Sequence, residues 1–320
     1  MERLPLTAVI LGLALACRAL AGDAPARESD WLAAVRRSRE ALEWSDRVVR
    51  HDWRLQQRPR DGRCRILDPL DAVVREGDDE TCRLAFAALE ADGTIPVVRG
   101  PTVILLHGLG EGRDSMRPLA DHLRTVLEAT VMLVGYASTS ADLAAHGRSL
   151  GDVVAGMPST ARISFVGHSL GNLVVRRWMT LADDADLARI DRMVMLGPPN
   201  RGSDLARQIA GAGMLATLAE GAARDLVIHW PRVEPTLAVP ACEFGIVAGG
   251  RGDGVGFSHL LDGDDDAIVR VDETRLDGAD DFLLVPVDHA ALLRDRRVKE
   301  ATAAFLGSGR FPQRAGEAAR

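Results

Sequence analysis

From residue 95 onward, short apolar runs alternate with longer amphipathic stretches. The apolar runs fall at 95–98, 102–106, 130–134, 162–166, 192–196, 243–247 and 282–285. Continuous rather than alternating hydrophobicity over four to six residues predicts strands covered on both faces. Helical spacing fills the gaps at 117–127, 141–155, 170–181 and 290–306. This rhythm predicts right-handed βαβ units, hence an α/β fold with a doubly wound, mainly parallel sheet. Residues 200–240 are helical in pattern but belong to no strand pair. They are expected as an insertion, a lid or cap over the C-terminal sheet edge, where ligands of such folds bind.

The first part of the chain reads differently. Trp31, Leu32, Val35, Leu42, Trp44, Val48, Val49 and Trp53 form an imperfect helical stripe over 29–57, broken at Arg58-Pro59-Arg60-Asp61-Gly62. Strands are predicted at Cys64–Leu67 and Ala72–Val74, followed by a helix around Glu80–Glu90. Residues 22–94 are thus expected as an N-terminal helix plus β-hairpin extension packed on a core domain of 95–306, with 307–320 a flexible tail. At the start, Arg3, the 11-residue apolar run Leu6–Ala16 and Ala19-Leu20-Ala21 read as residues 1–21 of a cleavable export signal. That predicts a periplasmic or secreted protein. Cys17 offers lipoprotein processing as the alternative, though the preceding residues lack leucine three positions before it. Eleven apolar residues are too few to span a bilayer, which takes about 20.

Composition narrows the function. The 320 residues carry a net charge of −7, and Lys299 is the sole lysine among 39 basic residues. An acidic chain without a basic stripe argues against nucleic acid as a partner. Cys64 and Cys82 could pair in an oxidising compartment, leaving Cys242 as an odd, buried thiol. No Cys/His cluster has metal-ligand spacing, so neither metal nor cofactor is expected.

The candidate chemistry centres on Gly167-His168-Ser169-Leu170-Gly171, between the strand Ala161–Val166 and the amphipathic helix Leu170–Ala182. A serine on such a strand-to-helix turn is a candidate nucleophile, its flanking glycines relieving the crowding. The turn would also aim the Leu170 N–H at an adjacent oxyanion. The alternative is Ser169 as a plain helix N-cap. Upstream, the strand Thr102–Leu106 ends in His107-Gly108, a turn that can bring the Leu109 N–H to the same place. His107 reads as a structural turn residue, and His168 as packed and pointing away from the site. For a base, His289 follows the apolar strand Phe282–Val287. His51, His122 and His146 lie on presumed helices with solvated faces, His229 lies in the insertion, and His259 in a Gly-rich loop is the second choice. For the orienting acid, Asp264, Asp265 and Asp266 crowd together. Asp266 is preferred because it precedes the apolar turn Ala267-Ile268-Val269, against a reading of any one of them as part of a solvated acidic loop or a calcium-friendly cluster.

The order Ser169, Asp266, His289 is the nucleophile–acid–base order of one known fold. The segments "VILLHGLG", "ISFVGHSLGNLVVRRWM", "LGPPNRGSDLA", "DDAIVRVDETRL" and "LLVPVDHAALL" together resemble bacterial α/β-hydrolases of the lipase/esterase type over 95–306. The resemblance implies Ser169, Asp266 and His289 as a triad and Leu109 and Leu170 as oxyanion donors. It also implies cleavage of a small-molecule or lipid carboxylic ester through an acyl-enzyme, with peripheral contact to a lipid interface as one option. The family often has Asp-Gly where this chain has Asp266-Ala267. Two alternatives stay open: an acyltransferase using the same residues, and a non-catalytic binding or scaffold protein of the same fold. Acyl-chain length and oligomeric state are not set by the sequence.

Overall fold

The structure, a computed structural model, describes residues 42–211 and 221–312. The expected export signal, Cys17, the first part of the 29–57 stripe, part of the expected lid and the last residues of the tail lie outside the described residues.

Four antiparallel strands open the described chain: β1 (Ser45–Arg50), β2 (Trp53–Gln57), β3 (Cys64–Leu67) and β4 (Val73–Gly77), paired in that order as a meander. Helix α1 (Asp79–Ala91), N-capped by the Asp78 carboxylate, packs on them. Leu55, Ile66, Cys64, Cys82, Phe86 and Ile95 form the small core between. Residues 45–57 are therefore a hairpin and not the helix expected from the stripe. The β1–β2 register shifts between Asp46 and Val48, which moves side chains off simple alternation. Burial also falls on polar residues here, since Asp46, Arg54 and Gln56 are all buried. Cys64 and Cys82 are free thiols buried in this core.

The second sheet has six strands, all parallel: β5 (Thr102–Leu106), β6 (Thr130–Val134), β7 (Ile163–His168), β8 (Ile190–Leu196), β9 (Glu243–Gly249) and β10 (Asp281–Val285). Their spatial order is β6-β5-β7-β8-β9-β10. Among the described residues, helices α2 (Arg117–Val126), α3 (Leu143–Ala155), α4 (Leu170–Leu181), α5 (Asp184–Leu187), α6 (Asp204–Gly211), α7 (Gly221–Val227), α8 (Trp230–Val233) and α9 (Arg296–Ser308) accompany this sheet. The apolar runs of the inner strands are continuous because those strands face a helical layer on both sides. Ile104, Leu106, Phe165, Met193 and Met195 meet the α3 and α4 side chains Leu150, Leu173 and Trp178. Val103, Leu105, Val166 and Val194 meet Leu119 and Leu123 of α2 and Val298 and Phe305 of α9 on the other face. The run 95–98 makes no strand. Pro96 supplies no N–H to a ladder, and only the Ile95 and Val98 side chains are buried. The expected insertion is present as α6, α7 and α8. Among the described residues no helix is long and apolar enough to cross a membrane.

Candidate active site

Ser169 occupies the turn between β7 and α4 with φ 51° and ψ −120°, a conformation L-residues rarely adopt, and its side chain makes no cap hydrogen bond. The flanking glycines are obligatory for steric reasons. A Cβ on Gly167 would stand 2.3 Å from Asn172 Oδ1, and one on Gly171 would stand 2.4 Å from the Leu106 carbonyl oxygen. The turn is held by the Ser169 N–H donating to Leu196 O at 2.9 Å and the Asn172 amide donating to Ser169 O at 3.0 Å. Leu170 is the first residue of α4, so its N–H has no partner within the helix.

The turn after β5 lies against this elbow, for a Cβ on Gly108 would be 3.2 Å from Ser169 Cβ. Several hydrogen bonds shape it. The Gly108 N–H donates to Glu111 Oε2 at 2.9 Å, and the Gly110 N–H donates to Ser138 Oγ at 3.1 Å. His107 is wholly buried and stacks on Tyr136, with ring centroids 4.3 Å apart; its Nε2 accepts from the Tyr136 N–H. His107 is thus a structural turn residue, its basicity lowered by burial. Leu109, between these anchors, donates its N–H to no group among the described residues.

His289 and Asp266 are brought together on the loops after β10 and β9. The His289 Nδ1 lies 2.6 Å from Asp266 Oδ2, and the His289 N–H donates to the Asp266 carbonyl at 2.8 Å. The other Asp266 carboxylate oxygen accepts the N–H groups of Ile268 and Val269. The wholly buried carboxylate is therefore oriented from both sides. Burial opposes a charge on His289, but Asp266, with Glu111 and Asp288 further off, outweighs it and raises the ring's basicity above the usual histidine value. Two glycines make room. A Cβ on Gly197 would stand 3.0 Å from His289 Cε1, and one on Gly249 would stand 2.7 Å from Asp266 Cβ. The neighbouring aspartates have other partners. Asp264 accepts the Arg251 and Gly252 N–H groups, and Asp265 accepts those of Ser258 and Ala267. Ala267, where the resembled family often has glycine, has φ 80°.

Three histidines sit otherwise than expected. His146 is buried and its ring packs 4.8 Å from that of Tyr136, because α3 is covered by β1 and α4. His51 is in the β1–β2 turn at φ 55°, not on a helix. His168 is packed, but it does not turn away from the site: its ring centroid is 4.7 Å from that of His289. His259 is exposed, and His229 lies 3.5 Å from Asp225. Glu111 is the residue that sequence reasoning missed, since a carboxylate after a glycine turn carries no signal of its own. Cys242 is partly buried, and burial pushes its thiol up to about 12. Among the described residues no group of three or more His, Cys, Asp or Glu is placed to hold a metal ion.

Comparison with known proteins agrees with this architecture. Residues 102–196, β5 through β8, match the family model described as "Putative serine esterase (DUF676)". The lipase BlEst2 of Bacillus licheniformis, in mature form, superposes with a TM-score of 0.51 at 16% identity, over 68% of this chain and 96% of that one. The phospholipase PlaB of Legionella pneumophila superposes at 0.50 and 16% identity, over 66% of this chain and 57% of that one. One curated relative, a tRNA dimethylallyltransferase of Janthinobacterium sp. (strain Marseille), is 37% identical over 81 residues. That match spans 25% of this chain and about a quarter, 26%, of the relative. The family match supports a hydrolase of ester type. The chain has the α/β-hydrolase fold of the lipases and esterases, and the four of its six parallel strands that bear the Ser169 elbow are the part that matches the serine esterase family.

Proposed function

We propose that the protein hydrolyses carboxylic esters through an acyl-enzyme on Ser169. The observation that carries this is the 2.6 Å contact of His289 with a buried Asp266, the His289 ring lying 4.7 Å from that of His168, next in sequence to a serine held at φ 51°. Asp266 accepts the Nδ1–H and so fixes the tautomer that leaves Nε2 free to take a proton. In the first half-reaction His289 takes the Ser169 proton, the serine oxygen bonds to the ester carbonyl carbon, and the carbonyl oxygen becomes an oxyanion. The Leu109 and Leu170 N–H groups are the donors for that oxyanion. Collapse breaks the bond to the alcohol, which leaves with the proton from His289. Water then enters by the same route in reverse, yielding the acid and free Ser169. The lipase and phospholipase among the structural likenesses make lipid esters a substrate class to include.

Ser169→Ala is the direct test. Turnover of a p-nitrophenyl ester series, from acetate to palmitate, is expected to vanish while the circular dichroism spectrum and the melting temperature stay those of the parent. A fluorophosphonate probe is expected to label the parent at Ser169 and not the variant. Undiminished turnover in the variant refutes the assignment.

A further inference from the structure

His168 and Glu111 are not needed to form the triad, yet together they link the turn after β5 to the loop carrying His289. Glu111 Oε2 accepts the Gly108 N–H at 2.9 Å, the Ser115 hydroxyl at 2.9 Å and His168 Nδ1 at 3.2 Å. His168 Nε2 lies 3.2 Å from the carbonyl oxygen of His289. The His168 ring thus faces an acceptor at each nitrogen: a carboxylate on one side and a carbonyl on the other. With Glu111 ionised neither partner has a proton to give, so both contacts are then hydrogen bonds only when both ring nitrogens carry N–H. His168 is wholly buried, and a buried ring nitrogen facing an acceptor with no proton between them is destabilising. A buried positive ring in turn needs an adjacent anion, and Glu111 is that anion. Its carboxyl is held far below the usual range, because the His168 ring and the Gly108 N–H outweigh its burial.

We infer that Glu111 and a doubly protonated His168 form a charged positioning pair that ties the Leu109 turn and the Ser169 elbow to the loop carrying His289. The inference rests on the reading of His289 as the base. The pair has two consequences. The His168 Nε2–H fixes the His289 backbone by its carbonyl, so the imidazole approaches Ser169 at a set height. The positive ring, 4.7 Å from that of His289, also offsets part of the negative field that Asp266, Asp288 and Glu111 exert on the base.

The test compares the parent with His168→Ala, His168→Gln and Glu111→Gln, reading kcat, KM and the pH profile of kcat/KM on a p-nitrophenyl ester. His168→Ala is expected to lower kcat by about a hundredfold with KM little changed, the size of loss that follows a small displacement of a reacting group. The amide of His168→Gln can still donate to the His289 carbonyl, and it is expected to recover most of kcat. Both variants leave Glu111 uncompensated, which makes His289 more basic and moves the acid limb to higher pH; Glu111→Gln moves it to lower pH. A His168→Ala variant with parental kcat and acid limb, or a Gln variant as slow as Ala, overturns the inference. A second reading needs no variant to be active: ¹⁵N-histidine NMR of the parent at pH 7.5. Protonation of both His168 nitrogens is expected, and a neutral ring overturns the charged pair. If the parent neither turns over esters nor takes a fluorophosphonate, the ester-hydrolase reading fails, while the NMR result still decides the charge of the pair.

Discussion

Three adjacent aspartates differ in role through which oxygen each leaves available. Asp264 spends both carboxylate oxygens on backbone N–H groups, and Asp265 turns one to Ser258 and Ala267 and keeps the other without a partner in a buried site. Burial accordingly raises the Asp265 carboxyl. Asp266 alone offers an oxygen to His289. Asp266→Asn is therefore expected to lower kcat by about 10⁴, since the amide stabilises the wrong imidazole tautomer. Asp265→Asn is expected to leave kcat within a few-fold of the parent, and a larger fall in the Asp265 variant would reassign the acid. The pH profile follows from the same contact. His289 acts only when neutral, and its basicity is raised, so kcat/KM falls as pH drops through a value above the usual histidine value of 6.5. In Asp266→Asn the opposing effect of burial dominates, and the residual activity is expected to keep its acid limb at lower pH.

At the scale of elements, the elbow works because β7, α4 and the end of β5 come closer than side chains permit. The atom nearest a Cβ on Gly171 is the Leu106 backbone oxygen at 2.4 Å, which cannot swing aside as a flexible side chain would. Gly171→Ala is expected to cost about 1–3 kcal/mol of stability, as overpacking does, and to open the gap between the Leu109 and Leu170 donors, lowering kcat more than KM rises. Gly307 is the contrasting case. It lies within α9 with nothing within 4 Å of an added Cβ, so Gly307→Ala is expected to gain about 0.5–1 kcal/mol from helix propensity with kcat unchanged. Urea midpoints of the two variants check both signs. The contrast also explains which parts of this fold were legible in the sequence. Strands β5 and β7 announce themselves because both faces of each are buried, so their apolar runs are unbroken. The glycines of the elbow were readable because a strand and a helix met at them. Strands β1 and β2 were not, since their inner face is lined by Asp46, Arg54 and Gln56, which binary patterning scores as surface. The contact of His168 with the base was hidden for another reason: it depends on a loop 121 residues away, and no local pattern encodes it.

At the scale of the molecule, that polar lining joins the two sheets. Arg54 donates to Asp46 at 2.7 Å and to the Leu133 carbonyl of β6 at 2.7 Å, while the Gly135 N–H and the Gln56 amide donate to the Asp46 carboxylate. The ion pair is nearly sealed, with side-chain exposures of 2% and 0%. The segment it grips continues into Tyr136, Ala137 and Ser138. Ser45 Oγ accepts the Ala137 N–H, and Ser138 Oγ accepts the Gly110 N–H of the turn after β5. On the far side of that turn Arg113 pairs with Asp71 of the β3–β4 connection. The small sheet thus braces the Leu109 turn from two sides. Arg54→Met leaves Asp46 buried without its cation, and breaking a buried pair in this way costs about 3–5 kcal/mol. If the two sheets unfold as one unit, tryptophan fluorescence, reporting Trp44 and Trp53 of the small sheet with Trp178 and Trp230 of the larger body, gives one urea transition coincident with the far-ultraviolet signal. Arg54→Met is then expected to move that single transition to lower urea without splitting it. A separate early transition, with ester turnover surviving it, would show instead that the small sheet has its own stability and that the turn after β5 holds its shape unaided.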